Sequence, residues 1–221
     1  MKPYKDHSSS AQTELQLWQP FINLTIYFFG LALLLAFSAL VIHFEVRYIS
    51  GVAGENTIIE YLQEAYIFIS GSLFFVVAIK HKNQRGFAFL VSAFFYIMFI
   101  RELDGLLDQI SHGFWKYPAW LLTIVVFIYT FFNLKTTVEP LNRYINHKSF
   151  GLMLAGIATL LVFARLYGMG ELWQGIMHEN YIRPVKNLAE EGVELMAYSL
   201  IVFASAWYCL PQILKRTCRF G

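Results

Sequence analysis

An all-α bundle of six transmembrane helices, with both termini cytoplasmic, is the fold this sequence predicts. Three observations predict it: a composition too apolar for a water-soluble globule, six long apolar runs, and acidic and basic residues sorted to opposite ends of those runs. Of 221 residues, 57% are hydrophobic, 18% aromatic and only 14% charged, where a soluble domain carries about 25% charged residues. So little charge could not coat a globule of this size, and the same numbers exclude a disordered or collagen-like chain. A net charge of +2 gives no footprint for nucleic acid. Cys209 and Cys218 are the only cysteines, too few for a disulfide framework or a zinc-type cluster.

A helix needs about 20 apolar residues to cross a hydrocarbon layer roughly 30 Å thick. The runs that qualify or nearly do cover about 21–44, 57–79, 86–103, 117–134, 150–167 and 192–210. The first is too long for a cleavable signal, and no small-x-small site follows it. The third and fifth are short in purely apolar residues, and each runs on into an arginine, Arg101 or Arg165. Residues 1–20 are expected as a cytoplasmic tail closed by Trp18 as an interfacial anchor, 21–214 as the membrane domain, and 215–221 as a basic cytoplasmic tail. The longest outer connection, about 167–191, holds Gly168, Gly170 and Pro184. Its weakly amphipathic piece, 171–178, is expected as a short re-entrant or interfacial helix.

Basic residues set the orientation. With the N-terminus inside, Lys2, Lys5, Lys80, Lys82, Arg85, Lys135, Arg143, Lys148, Lys215, Arg216 and Arg219 all fall on the cytoplasmic side, as the positive-inside rule requires. Asp6, Glu14 and Glu139 are the only acidic residues there; the others lie outside or in the outer ends of helices.

Ionisable groups inside apolar spans are rare and costly unless partnered, so they mark the functional candidates. Glu60 and Glu64 share one face of the second span, beside Gln63, and Glu190, Glu191 and Glu194 open the sixth, with Tyr198 one turn beyond Glu194. Arg101, Glu102, Asp104, Asp108 and His112 end the third span, and Arg165 ends the fifth. Glu64 is 16 residues from Lys80, Arg101 is 16 from Arg85, Arg165 is 17 from Lys148 and Glu194 is 16 from Leu210. At 1.5 Å per residue these four stand at one height, roughly 24 Å from the inner boundary. Neutralisation between arginines and carboxylates on neighbouring helices would hold a bundle together. With Glu60, Glu102, Asp104 and Glu190 added, however, carboxylates outnumber guanidiniums. Such a surplus calls for a bound cation, shared protons or a wet cavity. The expected ligand- or ion-binding set is therefore Glu60, Glu64, Arg101, Glu102, Asp104, Arg165, Glu190, Glu194 and Tyr198.

A divalent transition metal is the sharpest form of that expectation. Glu64 and Glu194 could offer oxygens, and His112 and His178 nitrogen, although no His-x-x-x-His or Glu-x-x-His spacing occurs. Small residues at Ala155, Gly156 and Ala158, and at Ala204, Ser205 and Ala206, suit close helix packing. Three functions fit. The leading one is a membrane module with an acidic ligand- or ion-binding layer in the outer half of the bilayer. The second is a metal-dependent enzyme acting on a lipid or lipid-linked substrate at the outer leaflet, with Glu64, Glu194 and Asp104 as catalytic candidates and the arginines on an anionic headgroup. The third is a transporter of a cation, proton or small amine, weakened by the lack of ionisable residues in the inner half of any span. A bacterial-type inner (plasma) membrane is the expected location. Membrane lipids, a second copy or another membrane protein are the expected partners, and nucleic acid is not.

Overall fold

The computed structural model describes residues 7–49 and 57–214, and every regular element among them is helical. Helix α1 spans His7–Phe44 and runs into a π-helical turn at Glu45–Ile49. Then come α2 (Ile58–Lys80), α3 (Arg85–Glu102), α4 (Lys116–Phe132), α5 (Leu134–Ile145), α6 (Lys148–Gly168), α7 (Gly170–Met177) and α8 (Arg183–Leu214). Five of these helices are long and apolar enough to cross a membrane; a sixth segment qualifies if α4 and α5 are taken together. That is the helix inventory of a membrane-integral protein.

The ends of α2 show how local chemistry sets the boundaries. Thr57 Oγ1 accepts from the Glu60 N–H at 3.1 Å while Glu60 Oε2 accepts from the Thr57 N–H at 2.9 Å, a reciprocal capping box. Glu45, only 4% exposed, reaches across from the end of α1 and accepts the next N–H, that of Ile59, at 3.0 Å. A carboxylate there also meets the positive end of the helix dipole.

Three elements differ from the sequence expectation. Residues 7–20, expected as a polar tail, extend α1 by helix. Helix α8 starts at Arg183, well before 192, because Pro184 sits in its first turn, where a missing N–H and a fixed φ suit a helix start. The fourth apolar run ends at Asn133, where the chain turns 96° into α5. The turn is held by Asn133 itself: its carbonyl accepts from the Thr136 and Thr137 hydroxyls at 3.0 Å each, and its amide donates to the Tyr129 carbonyl at 2.9 Å. The expected short helix in the long connection is present as α7.

Helix α8 packs on α1, α2 and α6, while α3 packs on α2, α4 and α5. The helices therefore follow one another as an arc, α4–α3–α2–α8–α6, with α1 against α8. Gly156 on α6 is a close-approach point: a Cβ there would stand 2.8 Å from Ile201 and 3.0 Å from the Ala197 carbonyl of α8. Helix α1 is mostly exposed and is tied in by hydroxyls. Ser38 Oγ lies 3.2 Å from the Tyr66 hydroxyl of α2 and 2.9 Å from Ser199 Oγ of α8, and Tyr27 stacks on Trp207 at 4.0 Å. At the end where α2 meets α3, the rings of Phe74, Phe87, Tyr144 and Tyr208 form a buried aromatic cluster, Tyr144 and Tyr208 at 4.5 Å.

Two outcomes test this packing. Gly156→Val should push α6 off α8 and lower stability by about 1–3 kcal/mol, the usual cost of overpacking, read as a fall in thermal midpoint in detergent. His147 caps α6, its Nδ1 accepting from the Ser149 N–H at 3.2 Å, and burial, followed by the adjacent Lys148 charge, holds its imidazole below the ordinary value. The unfolded chain therefore takes up this proton first. Stability should fall as pH drops from about 6.5 through the native value, and His147→Asn, which keeps a cap, should flatten that part of the profile.

Candidate functional site

Most of the acidic side chains gather at one end of the bundle, with Arg101, Arg165 and Lys186 among them, and a group of basic side chains marks the other. Lys80, Lys82, Arg85, Lys135, Arg143 and Lys148 lie around the α2–α3 junction, on α5 and at the start of α6. At the other end the first turns of α2, the last turn of α3, the end of α6 and the first half of α8 converge, and two cavities open side by side.

The larger, about 420 Å³, is acidic. It is lined by Glu60 and Glu64 of α2, Glu102 at the end of α3, Asp104 in the single helical turn that follows, and Glu191 and Glu194 of α8. Tyr61, Gln63 and Gln109 add polar wall, and among the described residues no lysine, arginine or histidine lines it. Gln63, 3% exposed, fixes one side by donating to the Glu191 carbonyl at 3.1 Å, which locks α2 to α8 beneath the carboxylates.

The smaller cavity, about 250 Å³, lies between α3 and α6 and backs onto α8. It carries both guanidiniums: Arg101 and Arg165 line it with Glu102, Glu194 and Tyr198, and Phe94, Met98, Ile157, Leu160 and Leu161 form its apolar side. Tyr198, 2% exposed, donates to Glu102 Oε1 at 3.0 Å, and Arg101 meets the same oxygen at 3.4 Å. Arg165 is exposed and makes no ion pair within 4 Å among the described residues. It does lie within electrostatic reach of Glu194. The π-helical stretch Thr159–Ala164, a feature frequent at functional sites, ends immediately before Arg165. Glu102 and Glu194 face both cavities and form the wall between them.

The expected layer thus divides. Arg101, Arg165, Glu194 and Tyr198 meet in one cavity, while Glu60, Glu64, Glu102, Asp104 and Glu194 meet in the other. Glu190 joins neither lining. It pairs with Lys186 one turn back at 2.7 Å and packs against Gly168. Glu191 takes the place expected for it. Glu45 was missed because its partner, the start of α2, is not readable as a contact from sequence; a buried carboxylate after a long apolar run was the only signal.

The metal set does not assemble. His112 is fully exposed and lies 3.0 Å from Asp108 in the turn after α3; His178 is exposed beyond α7, with φ 50°. Neither lines a cavity with Glu64 or Glu194. No group of three or more His, Cys, Asp and Glu side chains is placed to hold a metal among the described residues. No protein family, no curated protein and no solved structure matches this chain.

Tyr198→Phe should remove the bond that joins α8 to α3 at the dividing wall. A hydrogen bond to a carboxylate contributes about 1.5–3 kcal/mol, so the thermal midpoint should fall with the fold retained, as read by circular dichroism.

Proposed function

We propose that the protein is a polytopic membrane module whose acidic cavity binds a small cation, with both termini on the cytoplasmic side and the cavity in the outer half of the bilayer. The observation that carries this reading is the lining: six carboxylates face one cavity of about 420 Å³ with no basic side chain among the described residues that line it. Ionised carboxylates in a low-dielectric layer need a counter-charge. The cavity is far larger than one dehydrated metal ion and falls in the size range of small-molecule sites. An organic ammonium group, which can donate to several carboxylates at once, fits it better than a directly ligated metal.

The orientation follows the basic end of the bundle, which belongs inside by charge. In this topology α1, α2, α3, α4, α6 and α8 cross, and α5 lies along the cytoplasmic interface, with Thr137, Pro140 and Tyr144 turned to the protein. Conduction is a weaker reading, because the aromatic cluster of Phe74, Phe87, Tyr144 and Tyr208 closes the bundle below the cavity. The enzyme reading keeps one favourable observation: Glu194 and Glu102 border the cavity that carries the arginines, so a carboxylate stands beside any headgroup held there.

Titration of the purified protein with ethylammonium and, separately, with Mn²⁺ tests the reading. Ethylammonium should raise the thermal midpoint saturably, and Glu64→Gln with Glu194→Gln should weaken that effect at least tenfold, about 1.4 kcal/mol. Stoichiometric Mn²⁺ binding lost in the same double variant would restore the metalloenzyme instead. Silence with both probes would remove the cation site.

A further inference from the structure

The arginine cavity does not end at its charged mouth. Phe94 and Ile157, which form its apolar side, also line a second and wholly apolar groove of about 360 Å³ that continues between α3 and α6 to Phe150 and Tyr144 near the basic end. This groove exists because α6 packs chiefly on α8, which leaves a gap between α3 and α6 that Thr123, Val126 and Phe127 of α4 wall on its remaining side. From Phe150 to Arg165 the rise along α6 is roughly 22 Å, longer than one bilayer leaflet of about 15 Å. In sequence along the molecule there is therefore an apolar channel of acyl-chain length, a pair of guanidiniums at its top, and a wall of two carboxylates behind them that opens on the acidic cavity.

The geometry points to an aminophospholipid as the occupant: one acyl chain along the α3–α6 groove, the phosphate on Arg101 and Arg165, and the primary ammonium at Glu102 and Glu194, facing the acidic cavity. The ammonium part rests on the cation reading above; the chain and phosphate parts do not. Charge complementarity selects this headgroup. Guanidiniums pair bidentately with phosphate, and Arg165 has no ion-pair partner within 4 Å among the described residues although it stands at a depth where an unpaired charge is costly. A net anionic lipid would satisfy the arginines but bring its surplus negative charge against Glu102 and Glu194. A choline headgroup is disfavoured for a different reason. Its quaternary nitrogen donates no hydrogen bonds and is usually held in an aromatic cage, and Tyr61 is the only ring on the acidic cavity among the described residues.

The test is lipid retention by the full chain, delipidated in detergent and re-exposed to mixed micelles of phosphatidylethanolamine, phosphatidylglycerol and phosphatidylcholine, read by native mass spectrometry. The ethanolamine lipid should be retained about tenfold over each of the others. Arg165→Gln should lower its retention at least tenfold, and Arg165→Lys should recover part of it. Glu194→Gln should instead move the preference toward phosphatidylglycerol. Arg165 is exposed and should be replaceable without unfolding; an unchanged circular dichroism spectrum of Arg165→Gln checks this. If ethylammonium binds and no lipid is preferred, the lipid inference fails and the cation reading stands. If phosphatidylglycerol is preferred by the wild type, the groove is a simple anion slot and the inference is overturned. Soluble phosphoethanolamine at millimolar concentration should leave the lipid bound; displacement at equimolar concentration would make the ligand a free zwitterion and overturn the lipid assignment.

Discussion

Helix α8 is the constraint on which the other elements depend. It must meet three neighbours at once: the Ala197 carbonyl and Ile201 side chain against Gly156 of α6, the Ser199 hydroxyl against Ser38 of α1, and the Glu191 carbonyl against Gln63 of α2. In a hydrocarbon solvent, apolar burial gives no net drive to associate, because lipid tails are as apolar as leucine. Close packing and interhelical hydrogen bonds have to supply it. Ser70 and Ser205 return their hydroxyls to carbonyls of their own helices, whereas Ser92 donates to the Gly71 carbonyl across the α2–α3 contact. The carboxylates follow from the same helix. Once α8 is fixed by its lower half, Glu191 and Glu194 are carried to the top of the bundle whatever their own electrostatic cost.

The height of the polar layer was legible in the sequence because helices convert residue number into distance almost without error. Counting from Lys80, Arg85, Lys148 and Leu210 placed Glu64, Arg101, Arg165 and Glu194 together, and two adjoining cavities hold them. Azimuth was less legible. Glu190 and Glu194 share a face by i, i+4 spacing, but Lys186 lies on that same face one turn earlier and captures Glu190, leaving the cavity to Glu191. Hydropathy could not find the 96° turn at Asn133, because it is made by three polar side chains, two hydroxyls on the Asn133 carbonyl and the Asn133 amide on the Tyr129 carbonyl. The length of α8 was underestimated for a related reason: Pro184 reads as a breaker in a loop and acts as a helix starter.

The open side of the arc has a cause in the same turn. Had the chain continued straight through Asn133, α4 and α5 would have made one long helix beside α3. By turning, the chain lays α5 across the base of the gap, where Leu141 and Tyr144 close the bottom of the α3–α6 groove. The groove is thus closed at one end, apolar along its length and charged at the other.

Arginines and carboxylates at the dividing wall hold one another in check. Arg101 and Arg165 both draw on Glu194, and Arg101 on Glu102, so each guanidinium competes with any cation for the wall carboxylates. A phosphate on the arginines removes that competition, and an ammonium on the carboxylates removes the repulsion that a phosphate would meet. In the proposed lipid site the two halves of the zwitterion would therefore assist each other's binding through Glu102 and Glu194, in the manner of any two linked ligands whose coupling is reciprocal. Under the lipid proposal a free cation or a free anion would gain only its own side of the wall, whereas a headgroup that carries both charges would gain both.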